Sequence, residues 1–271
     1  MNTTSRMWRI TGMLSAISTV LLVLGFLFAV KDITRPMQGE EQSQASPEPN
    51  HMAASQNNNH FDVTSIGDSL AKGTGDDTGR GFAKRTVELL NQQGTESILI
   101  NNLGINGLTS TKLLPLLDEK GVQYSLKQAG VIILSIGGND LFDGNALLSG
   151  EELPSEEELE EQVKKAGDHF KDILAKLHEI NNSAKLVYVG LYNPFSELEG
   201  MRDIGNKAVS SWNLMASGAM DAYEGSLIVP TYDLYMNNSS RYLSSDHFHP
   251  NGDGYQLIAE RIVQGLAIPP K

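Results

Sequence analysis

The sequence predicts an α/β domain of three layers, a five-stranded parallel sheet with helices on both faces, preceded by one N-terminal transmembrane helix. Three observations carry this expectation. From residue 61 onward, short apolar runs alternate with helix-period patterns, as in a chain of βαβ units. Residues 10–30, ITGMLSAISTVLLVLGFLFAV, contain no charge. Between the two, residues 31–60 hold hardly any large apolar side chain and many Gln, Asn, Ser, Pro and Glu.

A helix over residues 10–30, at about 1.5 Å per residue, just spans a hydrocarbon core of roughly 30 Å. Arg6 and Arg9 precede it, and the mixed set Lys31, Asp32 and Arg35 follows. By the positive-inside rule, residues 1–9 form a cytoplasmic tail and everything after residue 30 lies outside. The rival is a cleaved signal peptide, which would release a secreted protein. Such a peptide usually has a shorter apolar core and a small-x-small cleavage site, and Leu27 and Ala29 before Val30 make a poor one. The reading is an uncleaved signal anchor, hence a single-pass membrane protein with an extracytoplasmic domain. Residues 31–60 cannot bury enough surface to fold, and form a tether whose reach is on the order of 30 Å.

The folded domain occupies residues 61–271. Apolar runs at 61–66, 97–101, 130–136, 185–191 and 226–229 are its five strands, since strands buried on both faces read as near-continuous hydrophobic segments. Helical periodicity falls at 80–93, 109–119, 156–181, 203–223 and 254–266. The third of these has the clearest start: Pro154 and Ser155 precede Glu156, with Ser155 as N-cap and Glu158 closing a capping box. The glutamates between positions 151 and 161 read as a solvated face favouring the helix N-terminus rather than as a metal site.

Composition removes several function classes. Lys+Arg 21 against Asp+Glu 33 gives a net charge of −12, which argues against a nucleic-acid groove or a broad grip on anionic lipid. With no Cys, zinc ribbons, iron–sulfur centres, disulfide scaffolds, cysteine nucleophiles and a lipidated-cysteine anchor are excluded.

In open parallel sheets, ligands bind beyond the carboxyl ends of the strands, where helices begin. The first strand runs into VTSIGDSLAKG and puts Ser69 on the strand-to-helix turn, as an exposed nucleophile or as a plain helix N-cap. The second leads into NNLGINGLTS, where Gly104 and Gly107 bracket a tight loop before a Thr-capped helix. The third leads into SIGGNDLF. There Gly137 and Gly138 allow close backbone approach and Asn139 carries an amide able to donate to an oxyanion. Either loop alone reads equally well as an ordinary βα turn. The last loop, SSDHFHPNGDG, sets Asp246 and His249 three apart, so that the carboxylate can orient the imidazole. An Asx turn with surface histidines is the bland alternative. A divalent-metal cluster of Asp246, His247, His249 and Asp253 is the sharper one, although the remaining histidines, His51, His60, His169 and His178, offer no second cluster to complete it.

Taken in chain order, IGDSL, NLGINGLTS, GGND and DHFHPN resemble the GDSL or SGNH hydrolase family of serine esterases and lipases, over about residues 61–266. The resemblance implies a flavodoxin-like α/β/α domain in which Ser69 is the nucleophile, His249 the base and Asp246 its orienting carboxylate. It implies an oxyanion hole from the backbone N–H groups of Ser69 and Gly107 and the side chain of Asn139. Gly107 is chosen over Gly104 because the family's glycine sits two residues before a Thr, here Thr109. The expected activity is hydrolysis of carboxylic esters of lipids or acylated envelope glycans through an acyl-enzyme. The expected partners are a small-molecule or lipid ester and the membrane, with no nucleic acid, metal or organic cofactor. A metal-assisted hydrolase on Asp246 and His249, or a catalytically idle binding module, are the alternatives. One departure from the family is the insertion over residues 141–184, expected to form a lid or to decorate the surface.

Overall fold

Five parallel strands, β1 (Val63–Gly67), β2 (Leu99–Gly104), β3 (Val131–Ser135), β4 (Lys185–Val189) and β5 (Leu227–Val229), pair in the order β2-β1-β3-β4-β5. They belong to a computed structural model that describes residues 61–142, 155–236 and 238–266. The expected transmembrane segment and tether lie outside the described residues. Among those described, no helix is long and apolar enough to cross a membrane.

The pairing follows from burial. β1 and β3 are buried at every position, so each contributes to both faces. Val131 and Ile133 point into one core layer, and Ile132 and Leu134 into the other. β2 is an edge strand that pairs only with β1, and its Asn101 and Asn102 are exposed. Its apolar signal therefore stops short, and the strand runs on to Gly104 past the expected end at residue 101.

Among the described residues the helices are α1 (Ser69–Lys72), α2 (Gly81–Gln92), α3 (Ser110–Leu116), α4 (Lys120–Gln128), α5 (Gly138–Leu141), α6 (Glu156–Ile180), α7 (Arg202–Met220), α8 (Tyr232–Tyr235), α9 (Ser239–Tyr242) and α10 (Gly252–Gly265). Helices α2 and α10 cover one face with Phe82, Leu90, Tyr255, Ile258 and Ile262. Helices α3, α4, α6 and α7 cover the other with Leu113, Leu126, Phe170 and Trp212. Each such side chain contributes about 1.5–3 kcal/mol on burial, so the two layers dominate stability.

Two expectations are corrected. The helix of residues 156–180 is neither lid nor decoration: Leu159, Val163, Phe170, Ile173, Leu174 and Leu177 are buried along it, and the Phe170 ring meets Tyr188 of β4 at 4.8 Å and Trp212 of α7 at 5.7 Å. The expected capping box does start it, with Glu158 N donating to Ser155 Oγ (3.2 Å) and Ser155 N to Glu158 Oε2 (2.7 Å). The second correction concerns α3, whose N-cap is Thr109 as expected but whose Thr109 side chain makes no capping hydrogen bond.

The chain leaves β1 toward β2 on one side and returns to β3 on the other. That reversal, between β1 and β3, opens the crevice where doubly wound sheets bind ligands, and the loops carrying Ser69 and Asn139 flank it.

Candidate active site

The turn after β1 is built around Asp68, not Ser69. Asp68 is the N-cap of α1, with Leu70 N donating to its Oδ1 at 3.0 Å, and Ser135 Oγ of β3 donates to the same oxygen at 2.9 Å. Ser69 is thus the first residue of α1 and is freed from capping. Its backbone N–H has no acceptor among the described residues. Burial pushes the Asp68 carboxyl up to about 6, against the opposing hydrogen bond from Ser135.

His249 reaches Ser69 from the far end of the domain. Its Nε2 lies 2.8 Å from Ser69 Oγ and its Nδ1 2.7 Å from Asp246 Oδ2. An ionised carboxylate can only accept, so Nδ1 carries the proton, Nε2 is the acceptor, and the Ser69 hydroxyl donates to it. The other Asp246 oxygen accepts from Ser244 Oγ (2.7 Å), Phe248 N (2.9 Å) and His249 N (2.9 Å). Partial burial raises the Asp246 pKa, but the hydrogen bonds from the His249 ring and from this turn prevail and hold it down to about 2. The turn that makes this possible puts His247 at φ 54, the one positive-φ non-glycine among the described residues. Such a conformation costs roughly 1–2 kcal/mol, which the three hydrogen bonds to Asp246 Oδ1 offset.

Two further contacts hold the loop. Tyr192 OH donates to Phe248 O at 2.7 Å while its ring stacks on Tyr235 at 4.1 Å. Gly75, at φ +92, faces the loop so closely that a Cβ there would lie 2.6 Å from Pro250 O and 2.9 Å from His249 Cβ.

The candidate oxyanion donors come from the loops after β2 and β3. Asn139 Nδ2 gives one hydrogen to Leu108 O (2.9 Å), which fixes the amide and leaves its second hydrogen free. The two glycines after β2 separate cleanly. Gly104 packs against the backbone of Lys72, where a Cβ would overlap it, and its N–H is taken by Asn102 Oδ1 (3.0 Å). Gly107, at φ +70, has nothing within 4 Å of a Cβ, and its N–H has no acceptor among the described residues.

Ser69, Asn139 and His249 line one pocket, whose remaining wall is largely apolar: Leu70, Phe142, Leu191, Pro194 and Phe248. Asp246 stands behind His249, and Gly107 lies outside this lining, one residue before the Leu108 carbonyl that Asn139 holds. The metal alternative is not assembled. Both ring nitrogens of His249 have protein partners, Asp253 sits in the first turn of α10, and among the described residues no group of three or more His, Asp or Glu side chains could hold a metal ion. Of the supporting residues absent from the sequence reading, Ser244 had a local signal, two positions before Asp246. Asp68 had one too, since it lies in the quoted IGDSL segment and caps Leu70 N two residues on, whereas Ser135, Tyr192 and Gly75 act across the fold and had none.

A family model described as the GDSL-like Lipase/Acylhydrolase family matches residues 65–257. The chain is 32% identical over 211 residues to the uncharacterized protein YpmR of Bacillus subtilis (strain 168), covering 76% of this chain and 82% of that one. It is 26% identical over 208 residues to the spore germination lipase LipC of Bacillus licheniformis, covering 73% and 93%. Among solved structures, the lipase Lip_vut3 from a goat rumen metagenome superposes with a TM-score of 0.67 at 24% identity, over 78% of this chain and all of that one. At that identity the likeness is one of fold.

Proposed function

This chain belongs to the GDSL-like lipase/acylhydrolase family and is a carboxylic ester hydrolase, and we propose that it cleaves esters of lipids or acylated envelope glycans through an acyl-enzyme on Ser69, at the outer face of a membrane. The observation that carries the mechanism is the unbroken relay from Ser69 Oγ through His249 to Asp246, at 2.8 and 2.7 Å.

In this reading Ser69 Oγ attacks the ester carbonyl carbon while its proton passes to His249 Nε2. Asp246 holds the ring in that tautomer and stabilises the imidazolium. The carbonyl oxygen, now an oxyanion, accepts from Ser69 N–H, Gly107 N–H and the Asn139 amide, donors fixed before the reaction begins. The carbon–oxygen bond to the alcohol breaks, His249 Nε2 returns the proton to that oxygen, and the alcohol departs. Water, deprotonated by His249, then attacks the acyl carbon, and Ser69 recovers its proton as the acid leaves.

The apolar wall of Leu70, Phe142, Leu191, Pro194 and Phe248 supports an apolar acyl group, and the similarity to a lipase supports lipid esters. The membrane location is supported by the charge-free residues 10–30 behind Arg6 and Arg9. The test is labelling with an active-site fluorophosphonate, followed by a screen of acetyl, butyryl and long-chain esters. Ser69→Ala is expected to lose both labelling and hydrolysis while staying folded. Hydrolysis by Ser69→Ala at the wild-type rate would refute the mechanism.

A further inference from the structure

An oxyanion hole drawn from the loops after β2 and β3 works only if the two loops keep a fixed spacing. Adjacent side chains of α5 hold them together. Asn139 does so through Leu108 O, as described above. The next residue, Asp140, accepts from Ser110 N at 3.1 Å through Oδ1 and 3.0 Å through Oδ2, and from Ser110 Oγ at 2.6 Å. Ser110 is fully buried and is the first residue of α3. Since the Thr109 side chain leaves that helix uncapped, Asp140 supplies the missing acceptor from 30 residues along the chain. Asp140 is itself anchored, its N–H donating to Gly137 O at 3.1 Å. Hydrogen bonds to a carboxylate are short and strong, and burial of Asp140 raises its pKa against the hydrogen bonds from Ser110. His169 of α6 joins the same corner, its Nδ1 lying 3.1 Å from Thr111 Oγ1.

We propose that Asp140 is a positioning residue of the oxyanion hole: it locks the loop that carries Gly107 to the turn that carries Asn139, so that the two donors meet one carbonyl oxygen. Asp140 does not line the pocket and takes no part in the proton transfers proposed above. Its effect passes entirely through Gly107 and Asn139. The inference rests on the serine-hydrolase reading.

A double-mutant cycle tests it, using the full chain and one soluble ester. Asp140→Ala is expected to lower kcat about 10- to 100-fold with KM held within about twofold, the signature of a donor misplaced in the transition state. In an Asn139→Ala background the same change is expected to cost about threefold or less, because one of the two donors whose spacing it fixes is already gone. Asp140→Asn, which keeps an acceptor for Ser110 N–H, is expected to recover most of the lost kcat. Where Asp140→Ala does not fold, Ser110→Ala, which removes the hydroxyl that donates to Asp140 Oδ1, enters the same cycle under the same criterion. Equal losses in the two backgrounds, or a change confined to KM, would overturn the proposal. An active Ser69→Ala would instead sink the serine mechanism itself, whereas an inert Ser69→Ala with an additive cycle would sink only the role of Asp140.

Discussion

Gly75→Ala tests how closely His249, the proposed base, is held. The residue sits at φ +92, and its missing Cβ would lie 2.6 Å from Pro250 O, 2.9 Å from His249 Cβ and 3.0 Å from Ser244 Oγ. To reach the 3.4 Å of ordinary contact, Pro250 O must retreat by about 0.8 Å and His249 Cβ by about 0.5 Å. Catalytic groups tolerate displacements of about 0.5 Å, and a misplacement of about 1 Å costs about 10²-fold, so kcat should fall about 10- to 100-fold. Stability should fall as well, by about 1–2 kcal/mol for the left-handed backbone and about 1–3 kcal/mol for the overpacking. Gly79→Ala is the control. It shares a positive φ, +64, but has nothing within 4 Å of a Cβ, so it should pay the backbone cost alone and keep full turnover. Urea unfolding and steady-state kinetics on a soluble ester measure both quantities. Wild-type turnover in Gly75→Ala, or the same stability loss in the two variants, would show that this contact does not hold the histidine loop in place.

Three further outcomes are expected. Asp246→Asn should retain more turnover than Ser69→Ala, with a loss of up to roughly 10⁴, because Tyr192 and Gly75 still hold the loop; wild-type turnover in Asp246→Asn would leave at most a Ser69–His249 dyad. Asp68 is a carboxyl whose folded pKa, about 6, lies above its ordinary value of 3.8, so its ionisation costs stability as pH rises through that window, by up to on the order of 3 kcal/mol. Denaturant unfolding of wild type and Asp68→Asn from pH 4 to 7 should show the variant gaining on the wild type as pH rises, and a pH-independent difference would rule out a buried carboxylate there. Finally, protease added to intact spheroplasts should release a fragment close to residues 61–271 if the domain is tethered outside; full protection would place it in the cytoplasm.

What the sequence disclosed depended on the range of the interactions involved. β1, β3 and β4 were legible because burial on both faces leaves a continuous apolar run, and α6 because its capping box lies within four residues. β2 was cut short since an edge strand needs no apolar cover over Asn101 and Asn102. α4 escaped notice: Gly121 lies in its first turn, and little beyond Leu126 marks its buried face. At the site, the structure brings Ser69, Asn139, Asp246 and His249 of the four motifs together, each in a segment that directly follows a strand or precedes a helix. Their supports were hidden. A cap on α3 supplied by Asp140, or a wall for His249 supplied by Gly75, joins segments far apart in the chain, and no local pattern encodes such a pairing. The choice between Gly104 and Gly107 rested on resemblance, and the structure adds that the Gly104 N–H is engaged by Asn102 Oδ1.

Ser69, the proposed nucleophile, follows the first strand of the described domain, and His249, its proposed base, precedes the last described helix, 180 positions further along the chain. These segments are held together where α2 meets α10, with Phe82 against Tyr255 at 6.2 Å and Tyr255 OH donating to Thr74 O at 2.8 Å. An N-terminal portion of the chain, however well it collapses, therefore possesses a serine with no base to deprotonate it. Hydrolytic competence, in the mechanism proposed above, requires that long-range contact, a closure of the slow kind. In that mechanism the chain stays chemically inert until the two segments meet, so the onset of esterase activity in a refolding experiment times their meeting.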